Sequence, residues 1–285
     1  MQRNRLKLWI IFSSVCAAIF CLFLFLGLGF RLKTVDVEFQ SRLPQEQTKL
    51  ESGIQEKIKD YFPYNKNIIV LNFNKTIQSI EKDYPYLKIN QVIKNFPNVA
   101  RVYISERVPK YRVQDSLDES MWLVLDEDFK VLEKLTNEQL HQENMYNNMS
   151  FFDKTIEISK DILESNNNVG EKIGGYEKLS SDVNQIMSGI YGKTEDYSLV
   201  FKIEIISSKN TSNYRIIMKN NAREDYKGCA IVIDGETDLK IKAFVGATTF
   251  QEEVKDNSIN IPSTIIIIEY KNGKPYGIIR TKSEE

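Results

Sequence analysis

Histidine and cysteine are almost missing from this 285-residue chain, which has one His and three Cys. His141 stands in a polar stretch with no Cys or second His beside it. Metal-ligand spacing is therefore absent, and His-dependent Ser or Cys hydrolysis has no convincing constellation. Cys16 and Cys21 fall inside a long apolar stretch, so Cys229 is the only thiol in the rest of the chain. No disulfide can form within that part, which must be held by burial alone. Cys229 lies in the run CAIVI and reads as a small buried residue, not a nucleophile. Glycine and proline are also sparse, at 13 and 7. Gly170, Gly174 and Gly175 lack the Lys-Ser/Thr of a phosphate-binding loop, and there is no internal repeat of roughly 20–50 residues. Five of the 38 basic residues and none of the 39 acidic ones lie in the first 33, so the remainder carries a formal charge of −6. That sign is wrong for a nucleic-acid or anionic-lipid binder. Among 39 acids, a carboxylate pair of the glycosidase kind stays open.

Leu8 to Phe30 is a run of 23 residues without a charge, fourteen of them Leu, Ile, Phe or Val. As a helix it would extend about 34 Å, enough for a hydrocarbon layer of ~30 Å. A cleavable signal would have a shorter apolar region, followed by a small-x-small site. The expectation is a membrane-spanning helix over 8–30 behind a short cytoplasmic tail, 1–7. Basic residues flank it almost evenly: Arg3, Arg5 and Lys7 before, Arg31, Lys33, Arg42 and Lys49 after. The charge rule alone does not orient it; the short basic tail favours a C-terminal bulk outside.

Beyond the span, Thr34 to Phe39 alternates as a half-buried strand does, Val35 and Val37 on one face and Asp36 and Glu38 on the other. Pro44 suits the first turn of a helix that buries Leu50, Ile54, Ile58, Tyr61 and Phe62 and ends at Pro63. Asn74 is a candidate cap for a second helix, burying Ile77, Ile80 and Tyr84, with Pro85 stopping it. Strands follow at Leu87 to Asn95 and Val99 to Val108, joined by the turn Phe96-Pro97-Asn98. Ala100, Val102 and Ile104 share one face of the latter strand.

The stretch from Asp83 to Val113, DYPYLKINQVIKNFPNVARVYISERVPKYRV, resembles the core signature of the FtsQ/DivIB cell-division family. Its features there are a proline ending the second helix (Pro85), the "FPN" turn (Phe96-Pro97-Asn98) and a strand ending in "ER-x-P" (Glu106-Arg107-Val108-Pro109). The resemblance implies a POTRA domain, β-α-α-β-β, over 34–110. Glu106 and Arg107 are neighbours on opposite faces of a strand and cannot pair with each other. Each pairs elsewhere in the fold, lies in solvent, or contacts a partner.

From Tyr111 a second region begins, 111–282. Met121 to Leu125 and Phe129 to Leu135 read as a hairpin around Asp126-Glu127-Asp128. These acids lack the Gly and distal Glu of a calcium loop and read as solvated turn residues. The family has an Asp and then a Gly near this turn, where this chain has Phe129-Lys130. Residues 136–175 form a divergent, Asn-rich insertion, and the family pattern resumes at Val169 to Ile173. Tyr176 to Tyr191 is a helix burying Leu179, Val183, Ile186, Met187 and Ile190. Strands are expected at Leu199 to Ile206, Tyr214 to Lys219 and Cys229 to Ile233. Leu239 to Val254 fits a strand over its first half. A helix capped by Thr237 covers more of its apolar residues, and helix is the reading adopted.

The chain closes with Ser263 to Tyr270 and Pro275 to Thr281 around Asn272-Gly273, a strong hairpin signal. An edge strand there could accept a partner strand, with Tyr276, Ile278 and Ile279 as the side chains of interest. In the FtsQ/DivIB family the corresponding hairpin captures the coiled-coil division proteins of the FtsB/DivIC type, with FtsL. The expectation is thus an α+β protein: a single N-terminal transmembrane helix, a POTRA domain, then a mixed α/β domain with a largely antiparallel sheet. The resemblance implies a non-enzymatic scaffold of the divisome at the bacterial plasma membrane. Its partners would be those coiled-coil proteins and other divisome membrane proteins; it would take no cofactor, metal or nucleic acid. An envelope-anchored wall hydrolase and a POTRA-type secretion or assembly component are the alternatives.

Overall fold

The computed structural model describes residues 9, 12–21, 27, 29–45, 47–142, 149–160, 167–196, 199–207, 212–220, 227–255 and 259–281. The expected tail, 1–7, lies outside them, as do 143–148 and 161–166 of the expected insertion. The chain divides into two compact units, Met1–Arg107 and Val108–Glu285.

Among the described residues no helix is long and apolar enough to cross a membrane. This corrects the expectation of a transmembrane helix over 8–30, and with it the single-pass placement at the plasma membrane. Within this stretch residues 9 and 12–21 are α-helical, and 8, 10, 11, 22–26 and 28 lie outside the described residues. The end of the stretch is tied into the first unit. The Phe30 carbonyl accepts from Ile68 N at 2.7 Å, and Leu32 is buried and exchanges hydrogen bonds with Lys66 and Asn65.

The first unit runs β1 (Thr34–Ser41), α1 (Ile54–Lys59), α2 (Asn74–Asp83), β2 (Leu87–Asn95) and β3 (Val99–Glu106). Its sheet has the order β1-β3-β2, with β1 parallel and β2 antiparallel to β3. Val35 and Val37 on β1, and Ala100, Val102 and Ile104 on β3, are buried. Helix α1 is shorter than its apolar spacing implied. Pro44 sits in a turn in which its carbonyl accepts from Gln47 N and Thr48 N, and the helix starts only after Gly53, whose φ of 78° an L side chain resists. Nor does Asn74 cap α2: it is the first helical residue, and Asn72 Oδ1 accepts from its N–H at 2.9 Å.

The second unit is built on nine strands in the order β12-β11-β10-β9-β8-β7-β4-β5-β6. These are β4 (Tyr111–Gln114), β5 (Met121–Leu125), β6 (Val131–Thr136), β7 (Ile156–Lys160), β8 (Val200–Ser207), β9 (Ser212–Lys219), β10 (Lys227–Ile233), β11 (Thr264–Lys271) and β12 (Lys274–Thr281). Parallel pairing occurs at β10–β11, β7–β8 and β4–β7; the other neighbours are antiparallel. Short helices α3 (Asn137–His141) and α4 (Phe151–Lys154) precede β7. Helix α5 (Tyr176–Thr194) buries Leu179, Val183, Ile186, Met187 and Ile190, and helix α6 (Leu239–Thr249) buries Leu239, Ala243 and Ala247, continuing through a π turn at Phe250–Val254. Leu239 to Val254 is thus helical, but Asp238, at φ 56°, stands at the cap in place of Thr237. All of these side chains join one core with the alternate residues of the sheet.

The Asp126 turn departs from expectation in two ways. Asp126 is buried, accepting from Asp128 N and Lys130 N at 2.9 Å each. Phe129 itself adopts the left-handed φ of 61° where the resemblance leads one to expect Gly. That conformation costs about 1–2 kcal/mol. Full burial of the ring, stacked on Tyr111 at 5.0 Å, contributes ~2–3 kcal/mol and outweighs it.

Helices α5 and α6 approach most closely at Gly189, where a Cβ would overlap the Lys240 carbonyl and the Ala243 methyl. Gly189→Val should therefore destabilise the protein by about 2–3 kcal/mol, read as a shift in the urea midpoint at unchanged slope.

Candidate docking site

The C-terminal hairpin is fixed by its turn. Asn272 and Gly273 have φ of 55° and 73°, as a type I′ turn requires. Pairing runs without a slip from Lys271 opposite Lys274 to Thr264 opposite Thr281. After a two-residue turn, the closing pair exchanges both hydrogen bonds and the pattern alternates. Lys274, Tyr276, Ile278 and Arg280 therefore bond inward to β11. Pro275, Gly277, Ile279 and Thr281 turn their backbone groups outward, and Pro275 has no N–H to offer. The outer side of β12 thus presents the donors of Gly277, Ile279 and Thr281 and the carbonyls of all four.

Side chains follow the same alternation. Gly277 lies against Thr249 so closely that a Cβ would overlap the hydroxyl, and Ile279 packs on the core. Tyr276 and Arg280 point to the opposite face, where the Tyr276 hydroxyl and Arg280 Nη2 both donate to the Glu269 carboxylate, at 3.3 and 3.4 Å. Ile278 stands between them. Of the three side chains expected at a docking site, Tyr276 and Ile278 face one way and Ile279 the other.

The other sheet edges are treated differently. At β6, a segment just before α5 pairs with the strand: Val131 N donates to Glu171 O, Gly170 N to Val131 O, and Ile173 N to Phe129 O. In the first unit, Gln55 Nε2 donates to Val37 O on β1 at 2.8 Å. On β2, Glu81 accepts from Ile89 N at 2.8 Å, while Arg107 Nε donates to Leu87 O at 3.2 Å and its Nη2 to Glu81 at 3.0 Å. Side chains and loops that occupy edge groups are how sheets avoid unwanted pairing.

Glu106 and Arg107, expected as possible contact residues, are both buried. The Glu106 carboxylate accepts from Thr48 Oγ1 at 2.8 and 2.9 Å, Lys49 N at 2.8 Å and Leu43 N at 3.3 Å. It fastens the loop before α1 to the end of β3. Arg107 fastens the start of β2 through Tyr86 O, Leu87 O and Glu81. Both are internal fasteners, so a partner would have to read other groups. Sequence reasoning missed Glu81, Gly277, Glu269 and Arg280. The last three were available from the hairpin register that Asn272-Gly273 sets.

Cys229 is buried, and burial pushes its thiol up to about 12. His141 stacks on Phe152 with centroids 4.2 Å apart. Among the described residues no group of His, Cys, Asp or Glu has metal-binding geometry.

Loss of the buried Arg107 side chain removes its ion pair with Glu81 and its hydrogen bond to Leu87 O. Arg107→Ala should cost about 3 kcal/mol, seen as faster amide exchange across β2 and β3 in the full chain. No protein-family model matches this chain, and no curated protein matches it.

Proposed function

We propose that this chain is a non-enzymatic scaffold of the bacterial division machinery, of the FtsQ/DivIB kind, that holds a partner by adding the partner's strand to β12. The observation that supports the reading is the edge itself. Among the described residues, a full-length strand with a regular ladder on one side leaves three donors and four acceptors on the other, while the remaining edges are wholly or partly occupied. The order β-α-α-β-β in the first unit and the "FPN" and "ER-x-P" segments are the features in which the chain resembles that family. The partners that follow are the coiled-coil division proteins of the FtsB/DivIC type, with FtsL. The proposal concerns residues 31–281 and carries nothing from Leu8 to Phe30.

In this mode of recognition, main-chain hydrogen bonds supply affinity, and the alternating side chains Tyr276, Ile278 and Arg280 supply selectivity. Thr281→Pro deletes one outward donor and leaves the inward ladder whole. One hydrogen bond is worth about 1 kcal/mol, so affinity for a purified FtsB/DivIC-type partner should fall roughly five- to tenfold by calorimetry. A wild-type chain that binds no such partner, or a Thr281→Pro chain that binds it undiminished, overturns the proposal.

A further inference from the structure

The sheet of the second unit has a second face, turned away from α5 and α6. Alternation places Ile217 of β9, Ala230 and Val232 of β10, Ile265 and Ile267 of β11, and Ile278 of β12 on it. The register aligns them: Ile217 lies opposite Ala230, and Ala230 beside Ile265; Val232 lies beside Ile267, and Ile267 opposite Ile278. All but Ala230 are partly exposed. Five branched aliphatic side chains on four neighbouring strands form a contiguous apolar patch, the kind of surface that marks an interaction site.

The other end of this same face shows what covers it. There Val124 of β5 is buried beneath Leu140 of α3 and Phe151 of α4, with Trp122, Leu135 and Phe152 packed around them. A row of ion pairs crosses the sheet between the two ends: Arg112–Glu157 at 3.5 Å, Glu157–Lys202 at 2.9 Å, Lys202–Glu204 at 3.3 Å and Glu204–Arg215 at 3.8 Å. Helices cover the face on one side of that row, and the patch occupies the other. A helix about 10 Å across spans two strand spacings of ~4.8 Å, the width from β10 to β12.

Charge selects the occupant. On this face, with the buried Arg112 left out, Lys202, Arg215, Lys219, Lys271, Lys274 and Arg280 stand against Asp153, Glu157, Glu204 and Glu269, an excess of positive charge. A second copy would bring the same excess. A helix with acidic flanks would be drawn to it.

We infer that the open face of β9–β12 seats one amphipathic helix of a partner protein, apolar along one stripe and acidic along its flanks. The inference rests on the scaffold reading only in that the helix belongs to a protein partner; it uses the sheet face and not the outward backbone groups of β12, with Ile278 bordering both. The test is a fluorescein-labelled peptide of about 14 residues with Leu at helical spacing and Glu flanks, titrated against the full chain by anisotropy. It should bind. Affinity should fall at least ~tenfold, or 1.4 kcal/mol, in Ile267→Lys and in Ile278→Lys. It should be retained in Ile267→Val and in Thr281→Pro, and a peptide with Lys flanks should bind more weakly. Absence of binding, or binding indifferent to both Lys substitutions, overturns the inference. So does a dimer in sedimentation that Ile267→Lys abolishes, since a second copy then fills the face. A chain that loses its division partner through Thr281→Pro but keeps the peptide supports the face independently of the edge.

Discussion

Every open sheet carries two rows of backbone donors and acceptors that meet no strand, and a protein must pair, cover or present them. In this chain the disposal of those rows organises much else. The pairing of β6 with Gly170 to Ile173 draws the segment before α5 onto the sheet and buries Ile173. The Glu81–Arg107 pair that occupies β2 also joins α2 to the end of β3. Gln55 does the same for α1 and β1. Three polar side chains that look like surface groups in sequence are therefore parts of the packing, and β12 is where the regular ladder simply stops.

The two faces of the large sheet are as unlike as its two edges. One is sealed by α5 and α6 through a largely aliphatic core, in which the Tyr214 hydroxyl donates to Asp182 of α5 at 2.7 Å. The other mixes a helix-covered end, an ion row and an apolar patch. Arg112 illustrates what the mixture demands. It is fully buried, and burial depresses its guanidinium to about 10, against the opposing pull of Glu157. Its Nη1 donates to Phe152 O at 2.8 Å and to the Thr155 carbonyl, and its plane lies 4.2 Å from the Phe152 ring centroid. A cation in such a place is tolerable because carbonyls at the end of α4 and an aromatic face replace the water it has lost.

Elements with a strong period were legible in the sequence. Leu87 to Asn95 and the α5 apolar stripe were found to within a few residues, because alternation and helical spacing there are uninterrupted. The hairpin was legible for a different reason: Asn272-Gly273 is a local signal whose geometry fixes the register of everything that follows. What escaped has physical causes too. Strands β4 and β7 are four and five residues long, too short for a period to show, and β7 pairs only with chain far away in sequence, in parallel with β4 and β8. Expected caps failed at Asn74 and Thr237 because turn geometry just before each helix, set by Asn72 and by Asp238 at positive φ, decided the start. The expectation over Leu8 to Phe30 failed as well. Hydropathy alone sets a length, whereas among the described residues no helix is both long and apolar enough to cross a membrane. At the candidate site, the sequence marked Tyr276, Ile278 and Ile279 as a group, and only the alternation across β12 separates them into two faces.

That separation constrains whatever pairs with β12. On the helix side, Gly277 has no room for a methyl group because Thr249 of α6 lies over it, and Ile279 is already packed on the core. An added strand would therefore continue the sheet beneath the rim of α6 with small or compact side chains at alternate positions. On the opposite side it would stand beside Tyr276, Ile278 and Arg280, where no described helix covers the sheet and where Glu269 holds both polar neighbours. Long or charged residues fit there and not on the other side. A one-residue slip of such a strand would exchange its two faces, and Gly277, where a Cβ would overlap the Thr249 hydroxyl, is the point at which α6 closes over β12.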